Sequence, residues 1–85
     1  MMGKNLKSIF VNTGLLVLEP KLHSLPGIIM EFKAVKKENS LPEAAKTALL
    51  QIDSKHYDID LKGRGIRDIA KYGIAFAGKK VEIAT

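Results

Sequence analysis

Gly27–Ala34, GIIMEFKA, is the stretch that decides the fold. Its apolar residues and bounded length read as a β-strand. Side chains at i and i+2 of a strand share a face and stand about 7 Å apart, so Glu31 and Lys33 project together and Phe32 enters the opposite layer. An acid and a lysine on one face of an otherwise apolar strand form either a cross-strand salt pair or the remains of a chemical site.

Upstream, Leu15–Glu19 (LLVLE) is a second apolar run, closed by Pro20, and suits a strand buried on both faces. Pro20 to Pro26 connects the two runs and favours an antiparallel pair. Ser8 to Val11 is a short β-rich stretch, and Asn12-Thr13-Gly14 reads as a turn. Downstream, Lys36 to Ser40 is a polar loop. Ser40 with Glu43 has the spacing of a capping box, and Pro42 falls where a missing N–H is harmless. A helix then runs to about Lys55, with Leu41, Ala45, Ala48, Leu49 and Ile52 as its apolar stripe.

Tyr57 to Leu61 alternates and reads as a short strand or extended link. Lys62-Gly63-Arg64-Gly65 reads as a turn. Ile66, Ile69 and Ala70 suggest a short second helix ending at Tyr72-Gly73. Gly73 to Ala77 (GIAFA) and Lys80 to Ala84 then form a hairpin about Gly78-Lys79. The order is β-β-α-(α)-β-β. The connection from Ala34 through the long helix is long enough to cross to a parallel neighbour.

With 85 residues, one domain spanning 1–85 is the ceiling, and its core is small. There is no cysteine, which excludes a disulfide framework and a thiolate metal site. No stretch approaches the roughly 20 apolar residues of a membrane span, and the N-terminus lacks a signal-peptide pattern. A soluble, cytoplasmic protein is expected. The net charge of +5 favours polyanions. The basic residues are spread, however, with short clusters at Lys36-Lys37, Lys62 to Arg67 and Lys79-Lys80. Gly63-Arg64-Gly65 lacks the spacing of a nucleotide-binding loop. His23 and His56 stand alone and read as surface residues.

Three blocks taken together, LEPKLHSLPGIIMEFKA, AAKTALLQIDSKHY and YGIAFAGKKVEI, resemble the PD-(D/E)XK nuclease-superfamily domain often found at the C-terminus of predicted AAA-type ATPases. The resemblance spans residues 15–83. It implies a restriction-endonuclease-like α/β core, a small mixed sheet with one long and one short helix, here truncated at its N-terminus. By the same resemblance, Glu31 and Lys33 match the family's Glu-x-Lys, Gln51 its helix glutamine, and Lys55 with Tyr57 its Lys-x-Tyr. Glu31 is then a metal ligand, Lys33 the catalytic lysine, Gln51 an active-site support and Tyr57 a substrate contact. Magnesium is the implied cofactor and DNA the implied partner.

The chemistry needs such groups. Magnesium is held by hard oxygen ligands, commonly one or two carboxylates, and a neighbouring lysine can orient the attacking water and stabilise developing charge. The family aspartate, however, falls on Leu15, which has no ligand atom, and the arginine before it is also missing. Glu19 lies four residues further, about 13 Å along the strand. Asn12 could donate a carbonyl oxygen only from a folded-back loop, and Asp53 and Asp58 have no evident route to the site. An impaired hydrolase is therefore expected, and the alternative is an inactive nuclease-fold remnant serving as a binding or oligomerisation module. The shortened N-terminus is expected to leave apolar surface exposed, to be covered in a homo-oligomer.

Overall fold

Alternation along the central strand sorts its side chains into two layers. A computed structural model describes residues 14–22 and 24–85, together with the backbone of residues 6–12. Strands β1 (Leu6–Asn12), β2 (Leu15–Pro20) and β3 (Gly27–Ala34) are followed by a 3-10 turn (Glu38–Ser40), helices α1 (Leu41–Lys55) and α2 (Tyr57–Gly63), and strands β4 (Ile69–Ala77) and β5 (Lys80–Ala84). Among the described residues the sheet has five strands in the order β1-β2-β3-β4-β5. β3 and β4 are parallel, joined through the helices, and the other pairs are antiparallel. The expected antiparallel β2–β3 pair, the crossover and the C-terminal hairpin are all present.

In β3 the odd positions Gly27, Ile29 and Glu31 are buried, while Ile28, Met30 and Phe32 are half-buried. The odd face carries both helices. One core cluster joins Leu15, Val17 and Ile29 of the sheet to Ile52, Leu61 and Ile66. A second joins Leu41 and Ala45 of α1 to Ala75 and Ala77 of β4. Of the expected α1 stripe, Leu41, Ala45, Ala48 and Ile52 are buried and Leu49 is half-buried.

Three local expectations fail. Ser40 precedes α1 but makes no side-chain cap bond. Its backbone (φ −87°, ψ −7°) continues the 3-10 turn instead of adopting the extended conformation that aims a capping hydroxyl. Tyr57 to Leu61 is helical, not extended: His56, at φ 58°, breaks α1 in the left-handed region and the chain restarts as α2. The i, i+4 pair Tyr57 and Leu61 then faces the core, a helical reading of the same alternating residues. The short helix expected at Ile66–Gly73 is absent. Ile69–Ala77 is one strand, paired with β3 from Gly27↔Ile69 to Ala34↔Phe76. A full-length partner for β3 outweighs the local helical spacing. Asn12-Thr13-Gly14 is described only in part: Thr13 lies outside the described residues, and Gly14 turns at φ +86°. His23 also lies outside them. Among the described residues no helix is long and apolar enough to cross a membrane.

Gly73 fixes how close α1 lies to the sheet. A Cβ there would meet the Ala45 carbonyl oxygen at 2.1 Å and the Leu49 backbone nitrogen at 2.5 Å. Those are backbone atoms, so α1 would have to move bodily. We predict that Gly73→Ala destabilises the fold by about 3 kcal/mol, the upper end for overpacking. Denaturant unfolding followed by circular dichroism measures this, and an unchanged midpoint would show that α1 is free to shift.

Candidate active site

Register places the site. Leu15 of β2 lies directly across from Glu31 of β3, and Glu31 directly across from Gly73 of β4. All three project onto the face that carries the helices. Glu31 is buried, at 5% exposure. Gly14 sits at its flank: the Gly14 carbonyl accepts a 2.7 Å bond from the Phe32 N–H, and a Cβ at residue 14 would stand 3.7 Å from Glu31 Oε2.

The Glu31 charge is met by Lys55, the last residue of α1. Lys55 Nζ donates to Oε1 at 3.0 Å and to Oε2 at 3.2 Å. A carboxylate taken out of water requires such a partner. Lys33 shares the Glu31 face of β3 and is half-buried, but the ion pair of Glu31 goes to Lys55 rather than to it. Gln51 is half-buried on α1, one turn before Lys55 and on the same flank of the helix. Tyr57 is half-buried at the start of α2 and packs against the cluster that contains Leu15 and Ile52. The helix end thus brings the Gln51 flank and Lys55 over the strand that carries Glu31 and Lys33.

Asp53, Asp58, Glu19 and Asp60 are engaged elsewhere. Asp53 accepts a 2.8 Å bond from Lys71 of β4, and Asp58 lies 3.9 Å from the same ammonium. The bond to Asp53 raises the Lys71 pKa; burial opposes it, and the charges of Asp53 and Asp58 add to it. Glu19 is buried at the opposite end of β2, within 3.5 Å of Arg64, which also contacts Asp60 at 3.5 Å. His56 is exposed at the break between the helices. Among the described residues no group of three or more His, Cys, Asp or Glu side chains could hold a metal ion.

The model of one protein family, the PD-(D/E)XK nuclease superfamily, matches residues 14–85. The chain belongs to that superfamily. No curated protein and no solved structure gives a significant match. Its mixed sheet and two helices are consistent with the restriction-endonuclease-like core of PD-(D/E)XK proteins, which generally use divalent metals.

The residues present offer such an ion an incomplete set of ligands. A divalent cation shared between β2 and β3 needs oxygen ligands from both strands. Leu15 contributes none and lies in the core at 3% exposure, and both Glu31 oxygens are already bonded to Lys55. Lys55 is the residue whose position sequence reading left without a role. Its signal was the Lys-x-Tyr spacing, but only the placement of α1 on the sheet shows that Lys55 reaches Glu31.

Removing the ammonium leaves a buried charge without its counter-ion. We predict that Lys55→Met lowers stability at neutral pH by roughly 1–3 kcal/mol. Adding Glu31→Leu should recover most of the loss. A double variant no more stable than Lys55→Met would show that the ammonium stabilises something other than Glu31.

Proposed function

We propose that the chain is a nuclease-related domain whose site for metal-dependent DNA phosphodiester hydrolysis is impaired. One observation carries this reading: the position directly across the sheet from Glu31 is Leu15, a buried side chain without a ligand atom. Glu31, Lys33 and Gln51 are the retained part of the catalytic set, with Glu31 as the remaining metal-side carboxylate, Lys33 as the catalytic lysine and Gln51 as its support. Tyr57 is assigned to the substrate side. Magnesium binding is correspondingly weak. DNA is the partner, consistent with a net charge of +5, and the chain acts as a homo-oligomer.

A second reading is favoured by the Glu31–Lys55 pair. A carboxylate already neutralised by the chain's own cation suits a domain that keeps the nuclease fold for binding or assembly, without hydrolysis.

Plasmid and single-stranded DNA incubated with magnesium or manganese separate the two. For the impaired nuclease, slow cleavage is expected, lost in Glu31→Ala and increased at least tenfold in Leu15→Asp, provided circular dichroism shows that each variant folds. No cleavage by the parent or by a folded Leu15→Asp protein would sink the hydrolytic reading. DNA binding that survives in such proteins and weakens with salt would then support the binding module.

A further inference from the structure

Around Glu31 the positive charges outnumber the negative. Lys55 donates to both of its oxygens, at 3.0 and 3.2 Å. Lys33 stands two positions further along β3 on the same face and is half-buried. The facing residues on the paired strands and on α1 carry no charge: Leu15 lies across on β2, Gly73 across on β4, and Gln51 one turn before Lys55. Asp53, the nearest acid along α1, is bonded to Lys71. Two ammonium groups therefore attend one carboxylate.

The missing ligand at Leu15 does not by itself keep an ion out. Magnesium binds through one or two carboxylates and retains several waters, so a single carboxylate can hold it weakly. The lone pairs of Glu31 are not exhausted either. A carboxylate has about four acceptor positions, and Lys55 takes one on each oxygen. The obstacle is charge. A magnesium ion would stand about 2.1 Å from the oxygen it binds, and so within about 5 Å of the Lys55 ammonium. Like charges that close repel, most of all beside a buried group, where solvent and salt screen them little.

Lys55 can be removed without dismantling the core. Its side chain is 39% exposed, against 6% for that of Glu31. It is the last residue of α1 and belongs to neither core cluster. The ammonium thus lies on the solvent side of the carboxylate, where a hydrated ion would arrive.

We propose that Lys55 is a built-in competitor of the divalent cation: its ammonium holds the cation position of Glu31, and taking it away uncovers a magnesium or manganese site there. The proposal rests on the reading of Glu31 as the remaining metal-side carboxylate. It separates two causes of weak metal binding. Leu15 withholds a ligand, and Lys55 repels the ion. Leu15→Asp corrects the first and leaves the second in place.

Manganese binding to the full chain without DNA tests this, with free ion measured by electron paramagnetic resonance. Lys55→Ala should bind manganese at least tenfold more tightly than the parent. Lys55→Gln, which keeps a neutral donor at the site, should also gain and replaces the alanine variant if circular dichroism shows that one unfolded. Because the folded state alone holds the ion, manganese should raise the unfolding midpoint of these variants more than that of the parent. Lys55→Arg, which keeps the charge, should show no gain, and neither should Lys55→Ala combined with Glu31→Gln. Lys46→Ala, at an exposed position of α1, controls for net charge and should match the parent. Leu15→Asp with Lys55→Ala should bind at least tenfold more tightly than Leu15→Asp alone. Parent-like affinity in the folded Lys55 variants would overturn the proposal. So would an equal gain in Lys46→Ala, or one that survives Glu31→Gln. Hydrolysis is judged separately: a parent that cuts no DNA leaves the manganese result standing, and unchanged manganese affinity leaves the cleavage result standing.

Discussion

The approach of α1 to Gly73 is the constraint on which the rest of the arrangement depends. Gly73 is the register partner of Glu31, so the helix comes nearest the sheet beside the buried acid. Ala45 and Ala48 keep the helix surface low, and Ile52 fills the space beyond them among Leu15, Val17 and Ile29. The packing sets the height and direction of α1. Lys55, at its end, is thereby held within reach of the buried Glu31 carboxylate. A helix seated higher would leave Glu31 buried without a counter-ion.

That pairing defines what the site can do chemically. In a metal-dependent nuclease, burial of a carboxylate is offset by a cation brought from solution. Here the offsetting charge is covalently part of the chain, and the opposite strand supplies hydrocarbon. The local electrostatics are therefore satisfied in the isolated protein. A site of this kind stabilises a fold, and any hydrolysis would have to proceed at the expense of an existing bond between Lys55 and Glu31.

The framework was largely legible in the sequence because apolar periodicity and proline placement report directly on burial. β2, β3, α1 and the C-terminal hairpin follow from LLVLE, GIIMEFKA, the Leu41–Ile52 stripe and Gly78-Lys79. The segment from Tyr57 to Tyr72 was not legible. Its helix begins at a left-handed His56, a residue with no strong signal for that conformation. Its strand is decided by pairing with β3, forty-two residues away in register at Gly27↔Ile69. At the site, the facing of Glu31 and Lys33 followed from strand geometry, and the antiparallel register sets Leu15 across from Glu31. The partner of Glu31 did not follow, because Lys55 reaches it through helix placement rather than through spacing along the chain.

The same long-range register bears on how the molecule is assembled. β2–β3 and β4–β5 are joined by short connections, whereas the parallel β3–β4 seam closes a loop that includes both helices. Closing that larger loop costs roughly 1.5–2.5 kcal/mol more in chain entropy than closing either hairpin. The two halves can therefore acquire local order cheaply, but the row Leu15, Glu31, Gly73 exists only after they dock. The buried acid meets its lysine inside that loop, between β3 and the end of α1. Their ion pair joins residues 24 apart in the sequence, and its integrity reports whether α1 is seated on β3.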